Sequence, residues 1–340
     1  MTKRVLILQL DGSLPNLALM RIAGHHRHLG DIVEYRAAHG RQSVEAGLYD
    51  APYERVYAGL IFEKTRPLAK RLKQVYPRAI LGGTGWDYTT TLADVGVPEN
   101  TTPDYSHHPS YPHSIGFSQR GCRLTCSFCV VPKKEGRPAS GEAIADIWRG
   151  EPYPRSLVLL DNDFFGLPDW PERTAAIRDG GFRVNFNQGI NARFLTTETA
   201  GAIASVSYWD ADFRKRRVYT AWDNRRDEAR LFAGLDCLKA AGVPPAHVMV
   251  YVLVAYDHLR RIGSPTITDD DVYRVEQLRK WGADPYPMPF LRNRETIGFQ
   301  RWVCRFVEKR GVSWAEYQRL GYYSRGTAPG SLFHETEGAA

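Results

Sequence analysis

The sequence predicts an α/β protein in two parts: an N-terminal parallel sheet with helices on both faces over residues 1–95, and a partial barrel of six strand–helix units over 114–290. Three observations predict it. Apolar runs of strand length alternate with stretches of helical spacing along the chain. A segment rich in proline and polar turn formers, VPENTTPDYSHHPSYPH, interrupts the alternation, and a longer rhythm follows it. Most helical stretches of that second part end in glycine, where a left-handed closing residue is needed.

In the first part RVLILQL is a continuous apolar strand, PNLALMRIAGHHRHLG has helical spacing with Pro15 near its first turn and Gly30 at its end, and IVEYR is the next strand. RVYAGLIF, the basic amphipathic KTRPLAKRLKQVYP and RAILGGTG repeat the pattern. Ligands of such sheets lie beyond the carboxyl ends of the strands. Residues 96–113 are expected to be an interdomain connection. From Ser114 onward SIGFSQ, SLVLLDND, RVNFNQG, RVYTAWD, HVMVYVLVAYD and ADPYPMPF read as six strands, the last weakened by its prolines. Helices are expected between them at GEAIADIWRG, WPERTAAIRDGG, TTETAGAIASV, DEARLFAGLDCLKAAG and TDDDVYRVEQLRKWG. Polar residues collect where the strands end: Asp161 and Asp163, Asn187 and Gln188, Asp223 and Asn224, Asp257. That face of a barrel carries chemistry. Residues 291–340 read as a C-terminal helical extension.

Composition narrows the class. With 340 residues, 43% of them hydrophobic, the chain can bury one large core or two smaller ones. No window approaches the ~20 consecutive apolar residues of a membrane span, and MTKRVLILQLDG reaches Asp11 too soon for a signal peptide. A cytoplasmic protein with no membrane partner is expected. Thiols stay reduced there, so an odd count of 5 cysteines points to metal binding rather than disulfides. The excess of 45 Lys and Arg over 38 Asp and Glu suits an anionic substrate and equally a plain solvated surface.

Three of the cysteines, Cys122, Cys126 and Cys129, lie in FSQRGCRLTCSFCVVPKKEG just after the first barrel strand, spaced C-x3-C-x2-C. Three thiolates can bind three irons of a cubane cluster and leave the fourth iron open, as catalysis requires. The alternative is a structural zinc site, which needs a fourth ligand, with His107, His108 and His113 as the candidates. Cys237 and Cys304 fall in helical patterns, where a lone cysteine serves as a small core residue.

GCRLTCSFC resembles the signature of radical S-adenosylmethionine enzymes, including the aromatic Phe128 before the last cysteine. The resemblance covers about residues 114–290 and implies a TIM-like partial (β/α)6 barrel. It also implies a [4Fe-4S] cluster on Cys122, Cys126 and Cys129 whose open iron is chelated by S-adenosylmethionine. One electron, from a donor such as flavodoxin or ferredoxin, then cleaves the sulfonium to methionine and a 5'-deoxyadenosyl radical that abstracts hydrogen from a substrate. The substrate itself is not named by these residues. The N-terminal domain further resembles the flavodoxin-like, cobalamin-binding-type domain of some members. Those that ligate cobalt from below show Asp-x-His-x-x-Gly, whereas this chain reads Asp11-Gly12-Ser13-Leu14-Pro15-Asn16. His25, His26 and His28 come later, in the helical stretch, so cobalamin is not expected. LGGTG reads either as a phosphate-cradling loop or as glycines that turn a strand end.

The same resemblance places S-adenosylmethionine at the strand ends. Asp161, Asn162 and Asp163 suit its ammonium, or else cap the following turn. Gln188, Asn191 and Arg193 suit its carboxylate or ribose, the guanidinium fork of Arg193 matching two carboxylate oxygens. Trp222 reads as an adenine or substrate platform or as a core aromatic, Asp223 as a ribose ligand, and VMVYVLVAYD as an adenine wall with Tyr256 at its mouth. In the tail Phe299, Trp302 and Phe306 alternate with basic residues, a pattern for nucleic acid, but they also fall on one helical face that would pack on the barrel. No tRNA-binding accessory module and no second cysteine cluster follow, which disfavours methylthiotransferases and enzymes with auxiliary clusters. A cobalamin-assisted radical methyltransferase and a non-enzymatic, metal-stabilised nucleic-acid-binding protein remain as alternatives.

Overall fold

The structure is a computed structural model that describes residues 2–38, 44–45, 52–305 and 311–321. Its described residues fall into two units, one running to Pro112 and including Cys126–Gly136, the other comprising His113–Thr125 and the chain from Arg137 onward.

The first unit contains β1 (Arg4–Gln9), α1 (Leu17–His28), β2 (Ile32–Ala37), β3 (Arg55–Gly59), α2 (Arg66–Val75) and β4 (Ile80–Gly82). The strands are all parallel, in the order β2-β1-β3-β4, so the winding reverses between β1 and β3. This explains why β1 is apolar without alternation. Val5 and Ile7 pack with Leu19 and Ile22 of α1 on one face, while Leu6 and Leu8 pack with Ala69 and Leu72 of α2 on the other. Asn16 caps α1 by accepting from Leu19 N at 3.2 Å, so Pro15 lies next to the first turn, just before the cap. Gly30 follows the helix in the left-handed region, φ 79°.

The stretch expected to be an interdomain connection packs along α1. Asp104 N donates to Met20 O at 3.0 Å, Arg27 pairs with Asp104 at 2.5 Å, and the Arg21 guanidinium reaches Glu99 O. Gly24 permits the approach, because a Cβ there would run into the Thr102 carbonyl oxygen.

The second unit begins with β5 (Ser114–Gly116) and the antiparallel ribbon β6 (Gln119–Arg120) and β7 (Ala139–Ser140), between which α3 (Val131–Lys134) belongs to the first unit. Then follow α4 (Ile144–Ile147), β8 (Ser156–Leu159), α5 (Trp170–Asp179), β9 (Arg183–Phe186), α6 (Thr197–Ser205), β10 (Ser207–Tyr208) and β11 (Val218–Ala221). The rest is α7 (Glu228–Ala240), β12 (Val248–Val254), α8 (Tyr256–Ile262), α9 (Asp269–Trp281), β13 (Asp284–Pro289), α10 (Arg294–Cys304) and α11 (Trp314–Arg319). All six expected strands and all five expected helices of this part are present. The strands form two parallel sheets, β10-β9-β8-β5 and β11-β12-β13, and just beyond β9 Ile190 N donates to Tyr219 O of β11 at 2.8 Å.

On β12 Val248, Val250, Val252 and Val254 are buried, while Met249, Tyr251 and Leu253 on the other face are half-buried. β13 holds its three prolines without losing its ladder. Phe290 N points to Val254 O, so Pro285, Pro287 and Pro289, of opposite parity, turn their missing N–H away from β12. On that outer side Gln300 Nε2 donates to Pro287 O at 2.9 Å. In the tail Phe299, Trp302, Trp314 and Tyr317 join the core of this unit. The one-face packing reading therefore holds for Phe299 and Trp302, and burial removes them as base-stacking platforms; Phe306 lies outside the described residues. Among the described residues no helix is long and apolar enough to cross a membrane.

Candidate active site at the strand ends

The cysteine loop leaves the carboxyl end of β5. Cys122, Cys126 and Cys129 are reduced thiols outside any disulfide, each half-buried. Cys122 belongs to the second unit, Cys126 and Cys129 to the segment grouped with the first, and the chain itself keeps them within eight residues. Leu124 N donates to Cys122 Sγ at 3.4 Å, and Cys129 N donates to Cys126 O at 3.0 Å. Among the described residues no three His, Cys, Asp or Glu side chains converge as a single metal ion requires. Thiolates are the ligand type that a cubane takes, each on a separate iron, so such a group would not need the three sulfurs to meet at one ion. The histidines weighed as a fourth zinc ligand have other neighbours: His107 stacks on Tyr35 and accepts from Arg27 at 2.9 Å, His108 meets the edge of the same ring, and His113 Nδ1 lies 2.7 Å from Ser156 Oγ.

β8 ends in the pair of aspartates. Asp161 is buried; Ser118 N donates to it at 2.7 Å and Ser118 Oγ donates to its second oxygen. Burial pushes its carboxyl up to about 6, against the opposing pull of those hydrogen bonds. Asp163, 1% exposed, takes both Nε and NH2 of Arg123 at 2.8 and 2.9 Å, and Arg123 N at 3.2 Å. Both carboxylates are thus committed to the protein, which differs from their expected role toward an ammonium group. They tie β8 to the chain leaving β5.

Gln188 is exposed and donates to Asn187 Oδ1, while Asn191 accepts from Arg193 Nε at 3.0 Å. Arg193 also pairs with Asp227 at 2.7 Å. Trp222 is fully buried, its Nε1 donating to Asn224 O at 2.9 Å, so of its two readings it is the core aromatic and not a ligand platform. A cavity of about 530 Å³ opens beside it, lined by Asp223, Leu253, Tyr256, Arg260, Asp271 and Arg274 among others. Burial pushes the Asp223 carboxyl up to about 6, while Arg193 and Arg274 pull the other way. Tyr256 meets Phe290 edge to face at 4.8 Å.

Comparison with family models, curated proteins and solved structures finds no match. The site therefore rests on its own chemistry.

Sequence reasoning passed over Ser118, Arg123, Asp227, Asp271 and Arg274. Arg123 lies between the first two cysteines, which was a signal; Arg274 sits in α9 with nothing in the sequence to mark it.

In the first unit, buried Gln9 organises the loop that would carry a cobalt-ligating histidine. Its Nε2 donates to the carbonyls of Asp11, Gly12 and Leu14, and its Oε1 accepts from Asn16 N and Tyr35 OH. Asp11 in turn accepts from Ile61 N and Phe62 N at 2.7 and 3.0 Å. His26 is buried between Asp31 and Tyr57, His25 is half-buried and His28 is exposed. The glycines of LGGTG serve close packing: Gly83 has φ 97°, and a Cβ on Gly83 or Gly85 would meet the backbone of Leu60 or Phe62. The N–H of Gly85 is spent on Leu60 O, and those of Trp86 and Asp87 just beyond it on Gly83 O, which favours the strand-end turn over the phosphate cradle.

Proposed function

We propose that the chain is a radical S-adenosylmethionine enzyme. The observation that carries this is the C-x3-C-x2-C spacing of Cys122, Cys126 and Cys129 in the loop that leaves the carboxyl end of a parallel strand. The two parallel sheets, read as one series β5-β8-β9-β11-β12-β13 through the Ile190–Tyr219 hydrogen bond, support a partial six-stranded barrel. The first unit is a cobalamin-binding-type fold in which no histidine follows β1 at the usual place.

In this reading the three thiolates hold a [4Fe-4S] cluster. Bound there, the cluster and S-adenosylmethionine supply one-electron cleavage chemistry. The protein's own residues bind and orient. Asp223, with Arg193 and Arg274 beside it, accepts hydroxyl donors in the cavity, and Tyr256 closes one side. A reducing compartment and a flavodoxin- or ferredoxin-type donor fit free thiols.

The test is anaerobic reconstitution followed by iron and sulfide analysis, then turnover with isotope-labelled candidate substrates, read as label in 5'-deoxyadenosine. Stoichiometric zinc with negligible iron in anaerobically prepared protein would overturn the reading.

A further inference from the structure

The residue after the first cysteine is held from four directions. Asp163 takes the Arg123 guanidinium through two hydrogen bonds and the Arg123 backbone N–H through a third. Arg137 NH1 donates to Arg123 O at 3.1 Å, and the guanidinium carbon lies 5.0 Å from the centre of the Phe194 ring. The next N–H along, that of Leu124, is the one that points at Cys122 Sγ. Asp163 is nearly inaccessible while the Arg123 side chain is about one-third exposed. The pair is therefore anchored at its acidic end and open at its basic end.

We propose that Arg123 and Asp163 are positioning residues for Cys122, a clamp that aims the Leu124 N–H at its sulfur and keeps a balanced charge pair one residue away. The inference rests on the cluster reading above. Hydrogen bonds to ligand sulfurs and net local charge are two of the means by which a protein sets a cluster's potential, and this clamp governs both. Asp163 acts on the cofactor through the cysteine loop, not by contact with S-adenosylmethionine.

The two single variants change charge in opposite senses. Asp163→Asn keeps the shape and leaves Arg123 uncompensated, so the midpoint potential of the reconstituted protein rises. Arg123→Gln leaves Asp163 uncompensated, so the potential falls. The double variant returns toward the wild-type potential, yet all three variants release iron to a chelator faster, by about 10- to 100-fold for a lost charge-assisted hydrogen bond. A purely structural pair would move both potentials in one direction or neither.

A second measurement needs no cluster. In metal-free, folded protein each variant raises the rate of iodoacetamide alkylation at Cys122 relative to Cys126 and Cys129, read by peptide mass spectrometry, and Arg123→Lys restores part of the protection. If the wild type takes up iron but neither the potentials nor the Cys122 rate respond, the clamp is wrong and the cluster reading stands. If the wild type takes up no iron while Cys122 alone responds, the clamp stands and the cluster reading falls.

Discussion

Arg274 and Asp271 form a buried ion pair at 2.6 Å in the wall of the cavity, and the same guanidinium donates to the carbonyls of Trp222 and Leu253 at 2.8 and 2.9 Å. One side chain thereby joins α9 to the ends of β11 and β12. Removing it leaves a buried carboxylate without its cation, though still hydrogen-bonded to Thr268, and takes a donor from two carbonyls. Arg274→Met should cost about 3–5 kcal/mol. Urea unfolding checks this, with Arg225→Ala as the control: its partner Asp270 is exposed, and its midpoint should not move.

The aspartates raised by burial set a pH dependence. A carboxyl with its folded value at about 6 keeps its proton while the unfolded chain has lost its own, so stability falls as pH rises from about 4 to about 6 and levels above. Asp223 contributes with the same sign. In Asp161→Asn the fall should shrink, so the variant gains on the wild type across that window whatever constant offset it carries. Urea midpoints at four pH values measure it; an offset independent of pH would contradict the assignment.

If the chain is the radical S-adenosylmethionine enzyme proposed, Asp223→Asn should weaken S-adenosylmethionine binding about 10- to 100-fold, the loss of a charge-assisted hydrogen bond, and leave iron content unchanged. Equilibrium dialysis against the reconstituted protein reads the first and iron analysis the second. Wild-type affinity in a folded variant would remove Asp223 from the site.

The tail separates packing from binding. Phe299 has no exposed surface, and Phe299→Ala should cost about 3–5 kcal/mol. Phe299→Leu should remain folded and bind single-stranded RNA no differently from wild type. A reduced affinity in that folded variant would return the aromatic to a recognition role.

Legibility followed locality. The strands of the second unit could be read because each is an apolar run closed by polar residues, as in SLVLLDND and RVNFNQG. α8 was missed because YDHLRRI has little apolar periodicity, and the ribbon because two-residue strands carry no pattern. The packing of residues 96–112 depends on Gly24 of α1, far away in the chain, so its prolines and turn formers alone suggested only a connection. The cysteine triplet was visible because its meaning lies in spacing. Asp163 was seen as a strand-end acid, but its partner Arg123 is 40 positions earlier, and only the fold brings them together. Trp222 and the glycines of LGGTG each had two readings that sequence weighs equally, and burial or hydrogen bonding decides between them.

β13 has a consequence beyond its own sheet. An exposed strand margin with alternating donors is a template onto which a neighbouring molecule can add its own strand. Here every outward position that should donate is a proline, and Gln300 occupies one of the acceptors. A strand added at this margin would meet a row without donors, made of the residues that made the strand look weakest.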